Sequence, residues 1–356
     1  MKNTLKIKGK SLKLTTLGFT LIELLAVIVI LAIIALIATP IVLNIINDTK
    51  ESSLLRSAEF YLDAVETSIA QSTLNDKKLE NGDYNILSNG NLCIEYETNE
   101  CIKQLDVKVN GERPIAGTII LKNGKIKDVE LVLSGKTIIR QNNKLLYSGL
   151  YDDKGNLLYT WNELVTKYGI DIGKYYYKSN GELLVEESLL PGVILSTNEK
   201  LKKGVKLIID STINRIGNGA FYGCATLKEI IITNNVTEIG RNAFRDCLNL
   251  KEIKIPNKVT YIGHSAFRGC KGLKSVIIGN SVTSTDNNVF SDCSSLNVIT
   301  FPKGITYIGG WICSACTKLK TINYTGTEVE WNAINFHSSW NYGPVKGANI
   351  IFNYID

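Results

Sequence analysis

A strict period of 23 residues in the C-terminal part of this 356-residue chain constrains its fold more than any other feature. The same residue types recur in the same order in successive units, and the first unit has Ile216-Gly217, Ala220-Phe221, Cys224 and Leu227. One such unit holds a single short strand and cannot bury its own apolar face, whereas stacked units bury a continuous core. The period therefore predicts a solenoid with parallel strands over residues 204–325.

The cysteine position is kept through all the units, including those that depart from the pattern elsewhere. Its members are Cys224, Cys247, Cys270, Cys293 and Cys316. The pattern resembles the leucine-rich repeats of BspA-type surface proteins, and the resemblance implies repeats that bind an extracellular protein or a ligand on a host or bacterial surface. Residues 326–356 resemble the terminal cap that follows such repeats. A solenoid needs a polar cap because an uncapped end would stack on the ends of other chains.

The cysteines are predicted to be small buried hydrophobes and not a metal or redox array. Stacked coils lie about 4.8 Å apart with parallel side chains, which exceeds the roughly 3.8 Å between Cβ atoms that a disulfide prefers. Cys313 and Cys316 form a C-x-x-C motif with no second such motif to complete a zinc site. His264 is predicted to be a solvated turn residue, and His337 lies in the cap. With no phosphate-loop or dinucleotide motif, we predict no enzyme, no metal and no cofactor.

One strip along the predicted strands is a candidate surface for a partner. Its outward residues at one register are Ile208, Ile231, Lys254, Ile277, Thr300 and Asn323. A second outward row is Lys206, Glu229, Glu252, Ser275, Val298 and Thr321. Isoleucines that face solvent beside charges are typical of a binding surface, but β-branched residues also stabilise a sheet without any partner. Both interpretations remain open at this stage.

The N-terminal part of the chain holds a long apolar run with one carboxylate. No charged residue lies between Glu23 and Asp48. Residues 19–46 would span about 42 Å as a helix, more than the roughly 30 Å apolar core of a bilayer. A lone acid in lipid is costly and therefore indicates a functional site at Glu23.

The residues around the start of this run resemble the processing site of type IV prepilins. Gly18 and Phe19 match the cleavage site, Glu23 matches the family glutamate, and Pro40 matches its helix-kinking proline. The resemblance implies a cleaved basic leader over residues 1–18, N-methylation of Phe19, and prepilin peptidase and other pilin subunits as partners. In a filament, the Phe19 amine would pair with Glu23 of a neighbouring subunit, relieving the cost of burying either charge. The alternatives are an uncleaved signal anchor or a secretory signal.

Residues 19–150 are predicted to form a pilin-like helix and a small antiparallel head. Apolar residues at helical spacing continue the helix to residue 72, and Asn-Gly turns then separate short strands, with a hairpin over residues 114–133. Cys93 and Cys101 are a candidate disulfide in an oxidising compartment, the alternative being free thiols. Residues 151–203 are predicted to be a partly ordered connector.

These predictions combine into an α+β chain: a pilin-like long N-terminal helix with a small antiparallel sheet, followed by a leucine-rich-repeat solenoid with parallel strands. The net charge of +6 falls to +1 when a leader with five lysines is removed, so nucleic acid is not favoured as a partner. The predicted function is a minor or tip pilin-like subunit, a single-pass membrane protein and then part of a filament or the cell surface, that displays the repeats for adhesion. The alternative is a pseudopilin of a type II secretion or competence apparatus.

Overall fold

The computed structural model describes residues 6–7, 10–11, 52–75, 79–97, 100–109, 111–141, 143–152, 154–174, 204–340 and 343–355. Four predicted processing and assembly residues lie outside these ranges: Gly18, Phe19, Glu23 and Pro40. Residues 175–203 of the predicted connector also lie outside them. The chain divides into two compact units, residues 1–56 and 57–356. In the first unit, β1 (Lys6–Ile7) pairs antiparallel with β2 (Lys10–Ser11).

A helix and a five-stranded antiparallel sheet form the part that precedes the solenoid, which we call the head. Helix α1 spans residues 52–74, and its buried side chains recur at helical spacing, among them Ala58, Tyr61 and Val65. The sheet has the order β3-β6-β7-β8-β9. Its strands are β3 (Gly82–Asn85), β6 (Ala116–Lys122), β7 (Lys125–Leu133), β8 (Lys136–Gln141) and β9 (Lys144–Tyr147).

Two hairpins of the head correspond to features that the sequence predicts. The predicted hairpin is β6–β7, and it turns at Asn123-Gly124, where φ is +54° and +72°. Two successive positive φ values define the type I′ turn that matches the twist of paired strands. A separate hairpin joins β4 (Leu92–Glu97) to β5 (Glu100–Leu105) and carries a disulfide between Cys93 and Cys101. The Tyr61 hydroxyl donates to the Gly90 carbonyl over 2.8 Å and so ties α1 to this region.

The solenoid has five coils, which we number 1 to 5 by the cysteines Cys224, Cys247, Cys270, Cys293 and Cys316. Each coil contributes a strand to each of two parallel rows, and paired residues in neighbouring coils are 23 apart, as Ile253 is from Val276. This confirms the predicted parallel solenoid. The main row consists of β12 (Val205–Ile208), β14 (Leu227–Ile231), β16 (Glu252–Lys254), β18 (Ser275–Ile277), β20 (Val298–Phe301), β22 (Thr321–Tyr324) and β24 (Asn349–Ile351).

The second row is shorter and carries only two residues in each strand. It consists of β13 (Arg215–Ile216), β15 (Glu238–Ile239), β17 (Tyr261–Ile262), β19 (Ser284–Thr285), β21 (Tyr307–Ile308) and β23 (Asn335–Phe336). Between the two rows, a turn buries the alanine, phenylalanine and cysteine of each regular unit. The rings of Phe221, Phe244, Phe267 and Phe290 stack with centroids 5.1, 5.0 and 5.4 Å apart. The repeat is therefore a set of side-chain ladders that run along the solenoid.

The first part of the predicted, partly ordered connector is ordered and packs against the solenoid. Strands β10 (Gly149–Tyr151) and β11 (Leu157–Thr160) and helix α2 (Trp161–Tyr168) pack on the first coil, in a sheet of order β11-β10-β12-β14. Trp161, Leu164 and Ile172 belong to the solenoid core. These elements cover the open end of coil 1, because a parallel stack would otherwise leave β12 unpaired on one side.

The other end of the solenoid is closed by the predicted cap. Helix α3 (Glu328–Asn332) begins with a capping box between Thr327 and Glu330, and a 3₁₀ helix spans Gly343–Gly347. The buried indole of Trp331 lies 5.1 Å from the Tyr324 ring and 5.3 Å from the Phe336 ring, as measured between ring centroids. Strands β23 and β24 continue the two rows by one step each.

Candidate binding face of the solenoid

The predicted strip lies on the main strand row, but half of its residues are buried. Ile208 is 0% exposed because Ile139 and Tyr151 pack against it. Ile231 is half-buried at the edge of the same cluster. The prediction that Ile208 faces solvent is therefore wrong, because the head and β10 cover the beginning of the strip.

Thr300 and Asn323 are also buried, for a different reason. They are short side chains that pair with each other in neighbouring strands, and they lie between Ile277 and Ile351 of the strands on either side. The Asn323 amide donates to the Thr300 hydroxyl over 3.3 Å. This pair is satisfied within the sheet, which removes both residues from the predicted contact surface.

Several polar contacts fix the head on the first two coils. Lys254 forms an ion pair with Asp128 at 2.7 Å, and Asn257 donates to Asp83 over 2.9 Å. Deeper in the contact, the hydroxyls of Thr137 and Ser211 lie 2.7 Å apart. Both sides of this contact belong to the compact unit of residues 57–356, so the head is a fixed neighbour of the strand face.

A groove of about 290 Å³ remains between the head sheet and β14 and β16. Its walls combine Ile120, Ile139 and Ile231 with the carboxylates of Glu130 and Glu252. Glu130 is only 6% exposed, and its carboxylate accepts a hydrogen bond from the Asn234 amide over 2.8 Å. Burial raises the pKa of Glu130, while this hydrogen bond opposes the shift.

The candidate binding face is the part of the main row beyond the head, together with two coil 2 residues at the edge of the head, where Lys254 is paired with Asp128. We call it the open strand face and define it by the half-buried and exposed outward residues Glu252, Lys254, Ser275, Ile277, Val298, Thr321, Asn349 and Ile351. Ile351 is 42% exposed at its far end. The face combines three aliphatic side chains with charges at one end, which is the composition of a surface that binds a protein.

The chemistry of the repeat cysteines is that of a core. All six cysteines outside the head are buried and free. The thiols of Cys247, Cys270, Cys293 and Cys316 each donate to a phenylalanine carbonyl of the preceding coil over 3.0–3.2 Å. Burial raises the pKa of Cys247 and Cys270, so these thiols stay protonated and unreactive.

The two histidines lie in different surroundings. His264 is predicted to be a solvated turn residue, but it is half-buried. Burial, together with the charge of the neighbouring Arg241, lowers its pKa. His337 lies in the cap, where its Nδ1 accepts a hydrogen bond from the Ser339 amide over 3.1 Å. In the described ranges, no group of three or more His, Cys, Asp or Glu side chains is placed to hold a metal ion.

Sequence reasoning missed two features of the surface. The first is the docking of the head, which depends on contacts such as Asp128–Lys254 between residues 126 apart and left no mark in the repeat pattern. The second is Trp311, which occupies a turn position where coils 1 to 4 have Gly219, Asn242, Ser265 and Asn288. Aligning the five units shows this tryptophan as an exception, so the sequence held the signal that would have identified it.

The repeated coils and their two strand rows form a parallel solenoid, and its repeat matches a known family. Residues 206–341 match the family described as BspA type Leucine rich repeat region, in 6 copies. No curated protein matches the chain. The family match covers the solenoid and the first part of its cap and does not extend to the head.

Solved structures of bacterial leucine-rich-repeat proteins are similar to part of the chain. A leucine rich cell surface protein from Faecalibacterium prausnitzii is 31% identical, with a TM-score of 0.36, over 38% of this chain and 39% of that one. The leucine-rich-repeat protein of T. pallidum is 24% identical, with a TM-score of 0.38, over 42% and 70%. The pneumococcal vaccine antigen PcpA is 19% identical, with a TM-score of 0.34, over 42% of each chain.

Among the helices of the described residues, none has the length and apolar character needed to cross a bilayer. The apolar run predicted to do so, residues 19–46, lies outside those ranges.

Proposed function

We propose that this chain is a surface-displayed adhesion or protein-binding subunit whose solenoid presents the open strand face to an extracellular partner. The observation that carries the proposal is the accessibility of three aliphatic side chains, Ile277 and Ile351 in one register and Val298 in the next, on a parallel sheet with charges at one end. These charges are Glu252 and Lys254. Aliphatic side chains supply the apolar core of an interface, and the charges at one end favour one orientation of the partner.

Rigidity supports this use of the face. Each strand of the row is hydrogen-bonded to neighbours on both sides from β18 to β22, and the phenylalanine rings of successive coils stack on one another in the core. A preorganised face loses little conformational entropy on binding. The head restricts access at coils 1 and 2, so a partner would approach coils 3 to 5.

A pair of matched double variants tests the open strand face. Ile277→Asp with Val298→Asp adds two charges to the face, whereas Ser284→Asp with Tyr307→Asp adds the same charges to the second row of the same coils. We expect the first variant to bind at least tenfold less to cells whose surface proteins are intact, and the second to bind as the unaltered chain does. Binding is measured by flow cytometry with the labelled full chain.

Protease treatment of the target cells provides the control for ligand class. Loss of binding after treatment is expected for a protein partner. Equal binding by the two double variants would contradict the role of the open strand face.

We further propose that the chain reaches the surface by the type IV pilin route, as a minor or tip subunit. The support is the sequence pattern of Gly18, Phe19, Glu23 and Pro40 together with a helix, α1, that joins an antiparallel head. Cleavage after Gly18 and methylation of Phe19 would give a mature chain with a new N-terminus, and Glu23 would pair with that amine in a filament. The membrane, prepilin peptidase and other pilin subunits are the partners of this route.

Intact mass of the protein from cells with their own export machinery tests the route. A chain that begins at methylated Phe19 is expected, and Glu23→Ala should leave that mass unchanged while it reduces the fraction found in sheared filaments. A chain that still begins at Met1 would exclude the route but not the binding role of the repeats. Strongly salt-dependent DNA binding by the purified chain would instead favour the pseudopilin of a competence apparatus.

A further inference from the structure

Trp311 breaks a rule that the other coils obey. At its position the backbone is left-handed in every coil, with φ of +73° at Gly219, +53° at Asn242, +56° at Ser265, +58° at Asn288 and +51° at Trp311. Glycine, asparagine and serine are small or hydrogen-bond locally, whereas a bulky residue with positive φ is a rare outlier. A strained residue that is retained points to a role beyond packing.

The indole is exposed but its backbone is fixed. Trp311 is 39% exposed, so its ring does not simply fill the core. Its amide donates to the Ser339 carbonyl over 2.9 Å, and its own carbonyl accepts from the Ser291 hydroxyl over 2.6 Å. These bonds join coil 5 to both coil 4 and the cap, and they fix the backbone from which the exposed ring projects.

His337 stands beside the indole as a second ring. The two ring centroids are 5.8 Å apart and the planes are tilted by 41°. The imidazole lies directly over Gly310, where a Cβ atom would come within 2.6 Å of Nδ1, so the glycine makes room for it. Because Nδ1 accepts from the Ser339 amide, the proton of the neutral imidazole is on Nε2, which donates to no other described residue.

The groups that bond Trp311 and His337 are uncharged. The Ser291 hydroxyl and the Ser314 amide donate to the Trp311 carbonyl, the Ser339 carbonyl accepts from the Trp311 amide, and the Ser339 amide donates to Nδ1 of His337. An exposed aromatic face attracts weakly polarised C–H groups through its quadrupole, and the Nε2–H of the neighbouring imidazole is a donor for a hydroxyl. A pyranose offers both, an apolar C–H face and a rim of hydroxyls.

We propose that Trp311 and His337 form a binding site for a neutral saccharide, with the sugar ring stacked on the indole and a hydroxyl accepting from Nε2 of His337. The site lies on the turn side of coil 5 and does not involve the open strand face. It therefore gives the chain a second mode of attachment, to glycans, that is independent of the proposed protein partner.

The test uses a variant that the repeat itself provides. Trp311→Gly installs the residue found in coil 1 and relieves the left-handed strain, so the variant is expected to fold. Asn242→Gly makes the same backbone change in coil 2, away from the site, and Trp311→Phe keeps a smaller ring. The full chain is purified in a detergent without a sugar headgroup and applied to an array of neutral, sialylated and sulfated oligosaccharides.

We expect the unaltered chain and Asn242→Gly to bind a set of neutral oligosaccharides equally, Trp311→Gly to bind them at least tenfold less, and Trp311→Phe to retain part of the signal. Titration with the best neutral oligosaccharide should also shift the tryptophan fluorescence of the unaltered chain and not of Trp311→Gly. The proposal is overturned if only charged glycans bind, if no glycan binds, or if Trp311→Gly binds as the unaltered chain does. Loss of binding to protein targets alone would assign Trp311 to a protein contact.

Discussion

At the scale of single residues, the solenoid depends on two left-handed positions in each turn. The second of them has φ of +69° at Gly223, +60° at Asp246, +73° at Gly269, +61° at Asp292 and +58° at Ala315. Glycine and aspartate suit this conformation, whereas alanine has a Cβ atom that meets the following carbonyl and no polar group to compensate. Coil 5 is thus the only coil with an unfavourable residue at both positions.

Ala315→Gly is expected to stabilise the solenoid by about 1 kcal/mol, because it removes the cost of a left-handed alanine. Ala225 follows the first cysteine in a turn position without positive φ, so Ala225→Gly should destabilise by a similar amount and serves as the control. Chemical denaturation followed by circular dichroism measures both. A lower midpoint for Ala315→Gly than for the unaltered chain would show that the turn of coil 5 is not strained in solution.

At the scale of elements, the cysteine ladder illustrates how far a pattern can predict a structure. The period placed the cysteines in the core, and the structure confirms that position. It could not predict that each thiol from coil 2 onward donates to a carbonyl one coil back, since that contact depends on the height and rotation of neighbouring turns. Cysteine rather than alanine at this position therefore supplies a donor to a carbonyl inside the stack.

The ladder leads to a prediction about thiol reactivity. Because burial raises the pKa of Cys247 and Cys270, their thiolate fraction at pH 8 is negligible in the folded chain, and the buried sulfurs are also inaccessible to reagent. A chromogenic disulfide reagent should detect none of the 6 free thiols in the native protein and all 6 after unfolding. Reduction of the disulfide before unfolding should add the two thiols of Cys93 and Cys101 to this count. Rapid reaction of the native chain would place the ladder nearer the surface than the structure does.

At the scale of the whole molecule, the head decides which part of the strand face is accessible. The repeat predicted the direction of every strand in the main row, but it could not predict that β7 and β8 cover its first two coils. Asp128, Glu130 and Thr137 are polar residues of the head sheet, and each has a partner on the solenoid. Contacts between residues so distant in sequence leave no periodic pattern.

The buried carboxylate of Glu130 makes this docking sensitive to pH. Burial raises the pKa of Glu130 in the folded chain above its ordinary value of 4.5. The ionised carboxylate therefore destabilises the folded chain. The stability that the chain has below pH 4.5 is partly lost as the pH rises through the raised pKa. Glu130→Gln removes the charge and keeps an oxygen for the Asn234 amide. We expect it to raise the unfolding temperature at pH 7 and to make no difference near pH 4.

Glu252→Gln is the matched control for this prediction, because Glu252 is exposed in the same groove. Its unfolding temperature should follow that of the unaltered chain across the pH range. The measurement is differential scanning fluorimetry from pH 4 to pH 8. A lower unfolding temperature for Glu130→Gln than for the unaltered chain at pH 7 would contradict the prediction. It would mean that the partners of the ionised carboxylate stabilise it by more than burial destabilises it.

The offset of 23 residues between paired strands of neighbouring repeat coils makes the solenoid a spacer of adjustable length. The head is fixed to coils 1 and 2, and Trp311 is fixed to coil 5 and the cap. Duplication or loss of one whole unit between them would change their separation by about 4.8 Å. The stacked phenylalanine and cysteine positions would still be in register, because each coil packs on the next in the same way. Gene recombination within the repeat could therefore tune how far a ligand is held from the head without redesigning either attachment.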